Sequence, residues 1–116
     1  MSGISTHVLD VSLGKPAAGV QVTLESAAEN VWPPQWRPLA SKSTDADGRC
    51  KELLAAEKTS QGTYRIVFET GAYFSAGGRA TLYPEVVVTF SVGGSETGYH
   101  IALLLSPFGY STYRGT

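Results

Sequence analysis

Apolar and polar residues alternate with a period of two along short segments of the chain, most clearly at residues 20–25, 63–68 and 86–92. Such alternation is typical of a β-strand that packs one face on a core. Clusters of turn-forming residues separate the apolar segments: Gly14-Lys15-Pro16, Trp32-Pro33-Pro34, Asp45-Ala46-Asp47-Gly48, Gly77-Gly78 and Gly93-Gly94. Short strands between turn clusters predict an all-β fold, an antiparallel sandwich.

Helical patterns are short in this sequence. Residues 72–76 predict a short helix that ends at Gly77-Gly78, and residues 55–58 predict a turn. Residues 27–35 contain two adjacent prolines and predict a surface loop. There is no internal repeat and no linker, and a chain of 116 residues has room for one domain. We therefore expect a single domain over residues 1–116.

Two strand-like segments carry apolar side chains on both faces. In residues 99–105, the odd-numbered positions are bulky and predict core contacts. The even-numbered positions place a histidine among apolar residues: His100, Ala102 and Leu104. In residues 5–11, the same period groups His7, Leu9 and Val11. Two such faces that meet across a subunit contact would form a sheltered cleft containing imidazoles.

Composition excludes several classes of protein. Hydrophobic residues make up 42%, charged residues 16%, and the net charge is -1, which argues against disorder and against a nucleic-acid partner. No apolar stretch approaches the roughly 20 residues that span a membrane. The sequence shows no secretion signal, and Arg114-Gly115-Thr116 is not the Ser-Lys-Leu signal for the peroxisome. We expect a cytoplasmic protein, with the peroxisome as the alternative.

The chain contains only two histidines, His7 and His100, and imidazole is the side chain best suited to move protons near neutral pH. The alternative is that both are hydrogen-bonded and inert. Arg49 follows an Asp-Gly turn that would hold its guanidinium in place to bind planar carbonyl groups. The alternative there is a solvated charge at a strand end.

Other reactive side chains lack a supporting pattern. No Gly-x-Ser-x-Gly motif indicates a serine nucleophile, and Cys50 is most simply an incidental thiol. The histidines lack metal-binding spacing, so we expect neither a metal site nor a cofactor. The last residues alternate tyrosines with hydroxyl residues, as in a paired strand that aligns Ser111, Tyr113 and Gly115. The alternative is an ordinary edge strand.

Several motifs together resemble the transthyretin-like superfamily, from about Ile4 to Thr116. The closing Tyr113-Arg114-Gly115-Thr116 resembles the Tyr-Arg-Gly-Ser tail of its 5-hydroxyisourate hydrolase branch, which hormone-carrying transthyretins lack. The other matching motifs are Thr6-His7-Val8-Leu9-Asp10, Pro16-Ala17-Ala18-Gly19-Val20, Thr44-Asp45-Ala46-Asp47-Gly48-Arg49, Gly62-Thr63-Tyr64, Tyr99-His100-Ile101 and Leu104-Leu105-Ser106-Pro107. The sequence departs from the hydrolase pattern at Thr116, where serine is usual, and at Ala102, where many members have proline.

The resemblance implies a prealbumin-like (transthyretin-like) sandwich of seven or eight strands with one short helix. It implies a homotetramer, a dimer of dimers with active sites at the dimer–dimer interface. The implied reaction is hydrolysis of the ring amide of 5-hydroxyisourate to 2-oxo-4-hydroxy-4-carboxy-5-ureidoimidazoline, in urate degradation towards allantoin. The implied catalytic residues are His7, Arg49 and His100. The implied substrate-binding residues are His7, Arg49, Ser111, Tyr113 and Thr116.

Chemical reasoning assigns a role to each of these groups. We expect His7 to take a proton from water and His100 to orient substrate or water. Arg49 would counter the charge that develops on the attacked oxygen. Two other functions remain open: a transthyretin-type carrier of an aromatic ligand in the inter-dimer channel, and a monomeric adhesion-type sandwich without a site.

Overall fold

The computed structural model describes residues 3–94 and 98–116, and residues 1–2 and 95–97 of the predicted domain lie outside this description. Within those ranges the chain forms two β-sheets and one α-helix, which confirms the predicted sandwich. The elements are β1 (Gly3–Asp10), β2 (Lys15–Pro16), β3 (Gln21–Ala27), β4 (Trp36–Ser43), β5 (Arg49–Leu54), a 3-10 turn (Ala56–Lys58), β6 (Gly62–Phe68), α1 (Thr70–Ala76), β7 (Val86–Val92), β8 (Gly98–Ser106) and β9 (Gly109–Gly115).

The first sheet has the order β2-β1-β8-β9, and β5 also pairs with β1. The second sheet has the order β4-β3-β6-β7 and is antiparallel throughout its described pairs. In the first sheet β1 and β8 run parallel, so this sheet of the predicted antiparallel sandwich is mixed. The alternation of side chains along one strand does not predict whether the neighbouring strand runs parallel or antiparallel to it. Eight described strands have six residues or more, and β2 has two.

The core lies between the two sheets and is built from the apolar faces that the alternation predicted. In β8 all four odd-numbered bulky side chains are at most 5% exposed, whereas His100 and Leu104 on the other face are partly exposed. The second sheet contributes fully buried residues: Val22, Leu24, Ile66 and Phe68. Each fully buried aliphatic or aromatic side chain stabilises the fold by roughly 1.5–3 kcal/mol.

The α1 helix covers one end of the sandwich through Phe74, whose side chain is fully buried. It ends at Ala76, directly before Gly77-Gly78 as predicted, and Gly78 adopts a positive φ of 69° that suits glycine after a helix. The predicted surface loop is exposed along residues 28–35, and Trp32 is 87% exposed. No helix within residues 3–94 and 98–116 combines the length and apolarity that crossing a bilayer demands.

Candidate active site on the outer face of the first sheet

The outer face of the first sheet aligns the predicted site residues in rows across its strands. In one row, His7 of β1 pairs with Arg49 of β5 and with Ala102 of β8, and Ala102 pairs with Tyr113 of β9. In the next row, His100 of β8 lies between its two register partners, Ser5 and Gly115. Rows two residues apart on one face are about 7 Å apart.

A tight turn places Arg49 at the start of β5. Asp45 Oδ1 accepts hydrogen bonds from the backbone N–H groups of Asp47 and Arg49, both at 2.9 Å. The same hydrogen bonds, that from Arg49 foremost, lower the pKa of the Asp45 carboxyl. Gly48 adopts a φ of 76°, in the left-handed region that glycine favours. The turn therefore has the Asp-Gly chemistry that the sequence predicted, and it orients the first residue of the strand.

The same turn holds His7. The Nε2 atom of His7 lies 2.8 Å from the backbone carbonyl oxygen of Asp47. A carbonyl oxygen can only accept, so Nε2–H of His7 donates this bond. In the neutral imidazole the lone pair of His7 is therefore on Nδ1. His7 is half-buried, and its ring centroid lies 6.3 Å from that of His100.

His100 stands between two neighbours that fix its ring. Its Nδ1 atom lies 2.8 Å from Oγ of Ser5, on the β1 side. Gly115 lies against the other edge of the ring, and a Cβ atom at this position would come within 2.5 Å of His100 Cδ2. No heavier residue fits at Gly115 unless the imidazole moves. The hydrogen bond and the close contact together define the orientation of His100.

Burial and two nearby basic side chains shape the titration of His100. Burial lowers the pKa of the His100 imidazole below its ordinary value of 6.5, and the charges of Arg49 and His7 lower it further. The neutral form of His100 therefore predominates at pH 7. A neutral imidazole with an available nitrogen can accept a proton.

A cleft of about 790 Å³ opens beside His100, and every titratable side chain among its described lining residues is a base or a tyrosine. Arg49, Lys51 and Arg114 contribute its positive charge, and Ser5 and Thr116 contribute hydroxyl groups. Arg114 also donates to the carbonyl oxygen of Gly98 at 2.7 Å and stacks 4.2 Å from the centroid of the Tyr99 ring. The cleft therefore favours ligands rich in carbonyl oxygens or negative charge.

The structure brings most of the predicted site residues to one face. Arg49, His100 and Thr116 line the cleft. His7, Ser111 and Tyr113 lie outside its lining but occupy outward positions on the same sheet, with Tyr113 52% exposed. The strand of the last residues, β9, is paired with β8 as predicted, and it lies at the sheet edge, as the alternative proposed. Val11, grouped with His7 by parity, instead follows the end of β1 in a turn.

Sequence reasoning missed the residues that support the histidines. Ser5 and Lys51 line the cleft, and the carbonyl of Asp47 holds His7. Ser5 stands two residues before His7 and Lys51 two residues after Arg49, so strand parity was the signal that could have found them. Cys50 points into the core, and burial raises the pKa of its thiol, which agrees with an unreactive cysteine. Within residues 3–94 and 98–116, no group of three or more His, Cys, Asp or Glu is arranged to hold a metal ion.

Known proteins resemble this chain over its whole length. A family model described as "Transthyretin: HIUase/Transthyretin family" matches residues 4–115. The 5-hydroxyisourate hydrolase of Caulobacter vibrioides is 44% identical, and the alignment covers 100% of both chains. The structure of Klebsiella pneumoniae 5-hydroxyisourate hydrolase has a TM-score of 0.85 at 39% identity, with both chains covered completely. Sea bream transthyretin in complex with thyroxine has a TM-score of 0.89 at 29% identity, covering 97% of this chain and 94% of its own.

Backbone shape does not separate hydrolases from transthyretins, because the TM-scores of 0.85 and 0.89 are nearly equal. Sequence identity separates them better, at 39–44% for the two hydrolases against 29% for the transthyretin. Function resides in the side chains of a site and not in the fold that presents them. Backbone, sequence and outer-face residues agree on one assignment: the chain belongs to the HIUase/Transthyretin family.

Proposed function

We propose that this protein is a hydrolase that opens the ring amide of 5-hydroxyisourate, in urate degradation towards allantoin. The observation that carries the proposal is the convergence of Arg49, His7 and His100 on one sheet face beside a positively charged cleft. Amide hydrolysis requires an activated water, a stabilised oxyanion and a proton for the departing nitrogen, and these three side chains can supply all of them.

His100 is the better placed general base. Its neutral form predominates at pH 7, and its Nε2 atom has no hydrogen-bond partner among the described residues. The Nε2–H group of His7 donates a hydrogen bond to a backbone carbonyl oxygen, and this bond holds the ring in place. We therefore exchange the two roles that the sequence suggested: His100 takes the proton from water and His7 orients substrate or water.

The proposed reaction uses proton transfer by His100 and the positive charge of Arg49. Hydroxide formed beside His100 attacks the amide carbon, and the guanidinium of Arg49 counters the negative charge that develops on the carbonyl oxygen. The carbon–nitrogen bond breaks as the imidazolium of His100 returns its proton to the departing nitrogen. Because the amide is part of a ring, the product is one molecule that carries a carboxyl group, which ionises, and a ureido group that contains the departed nitrogen. Tyr113, Ser111 and Thr116 are the hydroxyl residues that would hold the substrate ring by hydrogen bonds.

We further propose that the protein assembles as a homotetramer, a dimer of dimers, whose active sites lie at the dimer–dimer interface. Large apolar side chains are exposed near the ends of the first sheet, with Val11 at 52%, Leu13 at 50% and Phe108 at 69%. Among the described pairings, β9 and β7 are edge strands, each with one neighbour in its sheet. Exposed edges and apolar loops support assembly with further copies of the chain. A second copy over the outer face would exclude water from the cleft.

The direct test is the decay of the ultraviolet absorbance of freshly made 5-hydroxyisourate, with and without protein. Hydrolysis catalysed by the protein accelerates this decay in proportion to protein concentration. Sedimentation of wild-type protein and of Phe108→Glu tests the assembly, because a charge in an apolar contact favours dissociation. An unchanged decay rate would contradict the hydrolase, and a wild-type monomer would contradict the tetramer.

A carrier of an aromatic ligand is the second candidate, and the observation in its favour is the TM-score of 0.89 with a transthyretin in complex with thyroxine. The same assay separates the two functions. A carrier leaves the decay rate unchanged and binds aromatic ligands in calorimetry. A hydrolase accelerates the decay whether or not such ligands bind.

A further inference from the structure

The hydroxyl of Ser5 is the only described hydrogen-bond partner of the His100 ring. Its Oγ lies 2.8 Å from Nδ1, and Ser5 is only 5% exposed. The contact joins two strands whose residues are 95 positions apart in the sequence. A hydroxyl can accept a hydrogen bond from Nδ1 or donate one to it, and the direction of this bond decides which ring nitrogen of His100 carries the proton.

The strand order defines which part of the ring remains open. Since β8 lies between β1 and β9, the His100 ring has Ser5 on one side and Gly115 on the other. Nδ1 contacts Ser5, and the Cδ2 edge lies against Gly115. The remaining ring atoms, Cε1 and Nε2, are directed away from the sheet. Only Nε2 can therefore exchange a proton with a molecule in the cleft.

Two neutral tautomers have opposite consequences at this position. With the proton on Nε2, the lone pair of His100 is directed at Ser5 and cannot reach a water molecule in the cleft. With the proton on Nδ1, the lone pair is on Nε2 and can accept a proton from that water. Free imidazole side chains favour the first tautomer in solution, so a base at this site needs a hydrogen-bond acceptor at Nδ1.

We propose that Ser5 is a positioning residue whose Oγ accepts the Nδ1–H of His100 and so keeps the lone pair on Nε2, facing the cleft. The hydroxyl proton of Ser5 remains free to bond water or substrate, because Ser5 itself lines the cleft. This inference rests on the proposed function, since it concerns the same base.

Nitrogen NMR reads the tautomer directly. With only two histidines in the chain, a His7→Gln variant assigns both rings in a proton–nitrogen correlation spectrum. At a pH where His100 is neutral, we expect a protonated Nδ1 and an unprotonated Nε2 in the wild-type protein. In Ser5→Ala we expect the proton on Nε2 or a mixture of the two forms. Protonated Nε2 in the wild type would overturn the proposal.

Kinetics test the consequence for turnover. We expect Ser5→Ala to lower kcat by about 10- to 100-fold, by analogy with residues that orient histidine ligands in metal sites, with a smaller change in KM. Ser5→Thr retains a hydroxyl and should keep kcat within about fivefold of wild type, since a hydrogen bond is preserved. Ser43→Ala, on the exposed side of β4, is the matched control and should behave as wild type.

The outcomes are distinguishable. Wild-type kcat in folded Ser5→Ala would overturn the positioning role, with folding checked by circular dichroism and gel filtration. If Ser5→Ala does not fold, the tautomer of His100 in the wild-type protein and the kcat of Ser5→Thr decide whether Ser5 positions His100. If the wild-type protein does not accelerate hydrolysis, the proposed function fails, whereas the nitrogen shifts still decide whether Ser5 controls the tautomer.

Discussion

Strand β1 takes part in two polar clusters, one at its last residue and one along its outer face, and the two clusters are built in opposite ways. At its last residue, the carboxylate of Asp10 is completely buried and accepts hydrogen bonds from Ser12, Tyr73 and Arg79. Burial by itself raises the pKa of Asp10, but the hydrogen bonds from Ser12, Arg79 and Tyr73 outweigh it and lower the pKa to about 2. These contacts attach α1 and the loop after it to the first sheet.

The cluster around His7 and His100 leaves one nitrogen of each ring without a hydrogen bond to a described residue. Each histidine uses one ring nitrogen to hold its orientation, through Asp47 for His7 and Ser5 for His100. The other nitrogen of each ring has no partner among the described residues, and the cleft beside His100 is lined by Arg49, Lys51 and Arg114. A charged group whose partners all come from the protein stabilises the fold, whereas a group with a free atom can act on a ligand.

The largest expected effect is on turnover. His100→Ala and Arg49→Ala should each lower kcat/KM by at least about 100-fold, because they remove the proposed base and the counter-charge for the oxyanion. Absorbance decay of 5-hydroxyisourate measures this. Arg37→Ala, an exposed arginine on β4, is the matched control and should keep wild-type activity. Wild-type rates in both site variants would contradict a catalytic role for the cluster around His7 and His100.

The next effect is on stability. Asp10→Asn should lower the free energy of unfolding at pH 7 by roughly 2 kcal/mol, the value that corresponds to a pKa of about 2 in the folded chain against 3.8 unfolded. The lowered pKa stabilises the fold fully above pH 4, and this stabilisation is lost as the pH falls towards 2. Urea unfolding at several pH values measures it. A variant as stable as wild type would show that the buried network is dispensable.

A smaller effect concerns the pH dependence of activity. The pKa of His100 is lowered, so its basic form should persist below pH 6.5, and kcat/KM should fall only when the pH drops below that value. Arg49→Gln removes one of the charges that lower the pKa and should move the His100 titration upwards. Proton NMR of the His100 ring follows this even if the variant is inactive. A midpoint above 6.5 in the wild type would contradict the assignment of His100 as a neutral base.

The smallest effect is expected at the sheet edge. Tyr113→Phe removes one hydroxyl from a half-exposed side chain and should raise KM about two- to tenfold with little change in kcat, as the loss of one hydrogen bond implies. Steady-state kinetics separate the two constants. A large fall in kcat would mean that Tyr113 takes part in proton transfer.

The alternation of side chains was enough to predict most of the fold. A period of two determines which residues of a strand share a face, so the core side of β8 and the outward position of His100 followed from local pattern alone. The turn before Arg49 was also predictable, because its aspartate and glycine form hydrogen bonds with near neighbours in the sequence. The family resemblance then added the candidate residues and the reaction.

Only the tertiary structure decided how those faces combine. The parallel pairing of β1 with β8 sets Ser5 opposite His100 and His7 opposite Ala102, although these pairs are 95 residues apart. Register between distant strands depends on packing of the whole sandwich, which no local pattern encodes. For the same reason, only the assembled sheet shows that a hydroxyl lies beside Nδ1 of His100 and a glycine beside Cδ2.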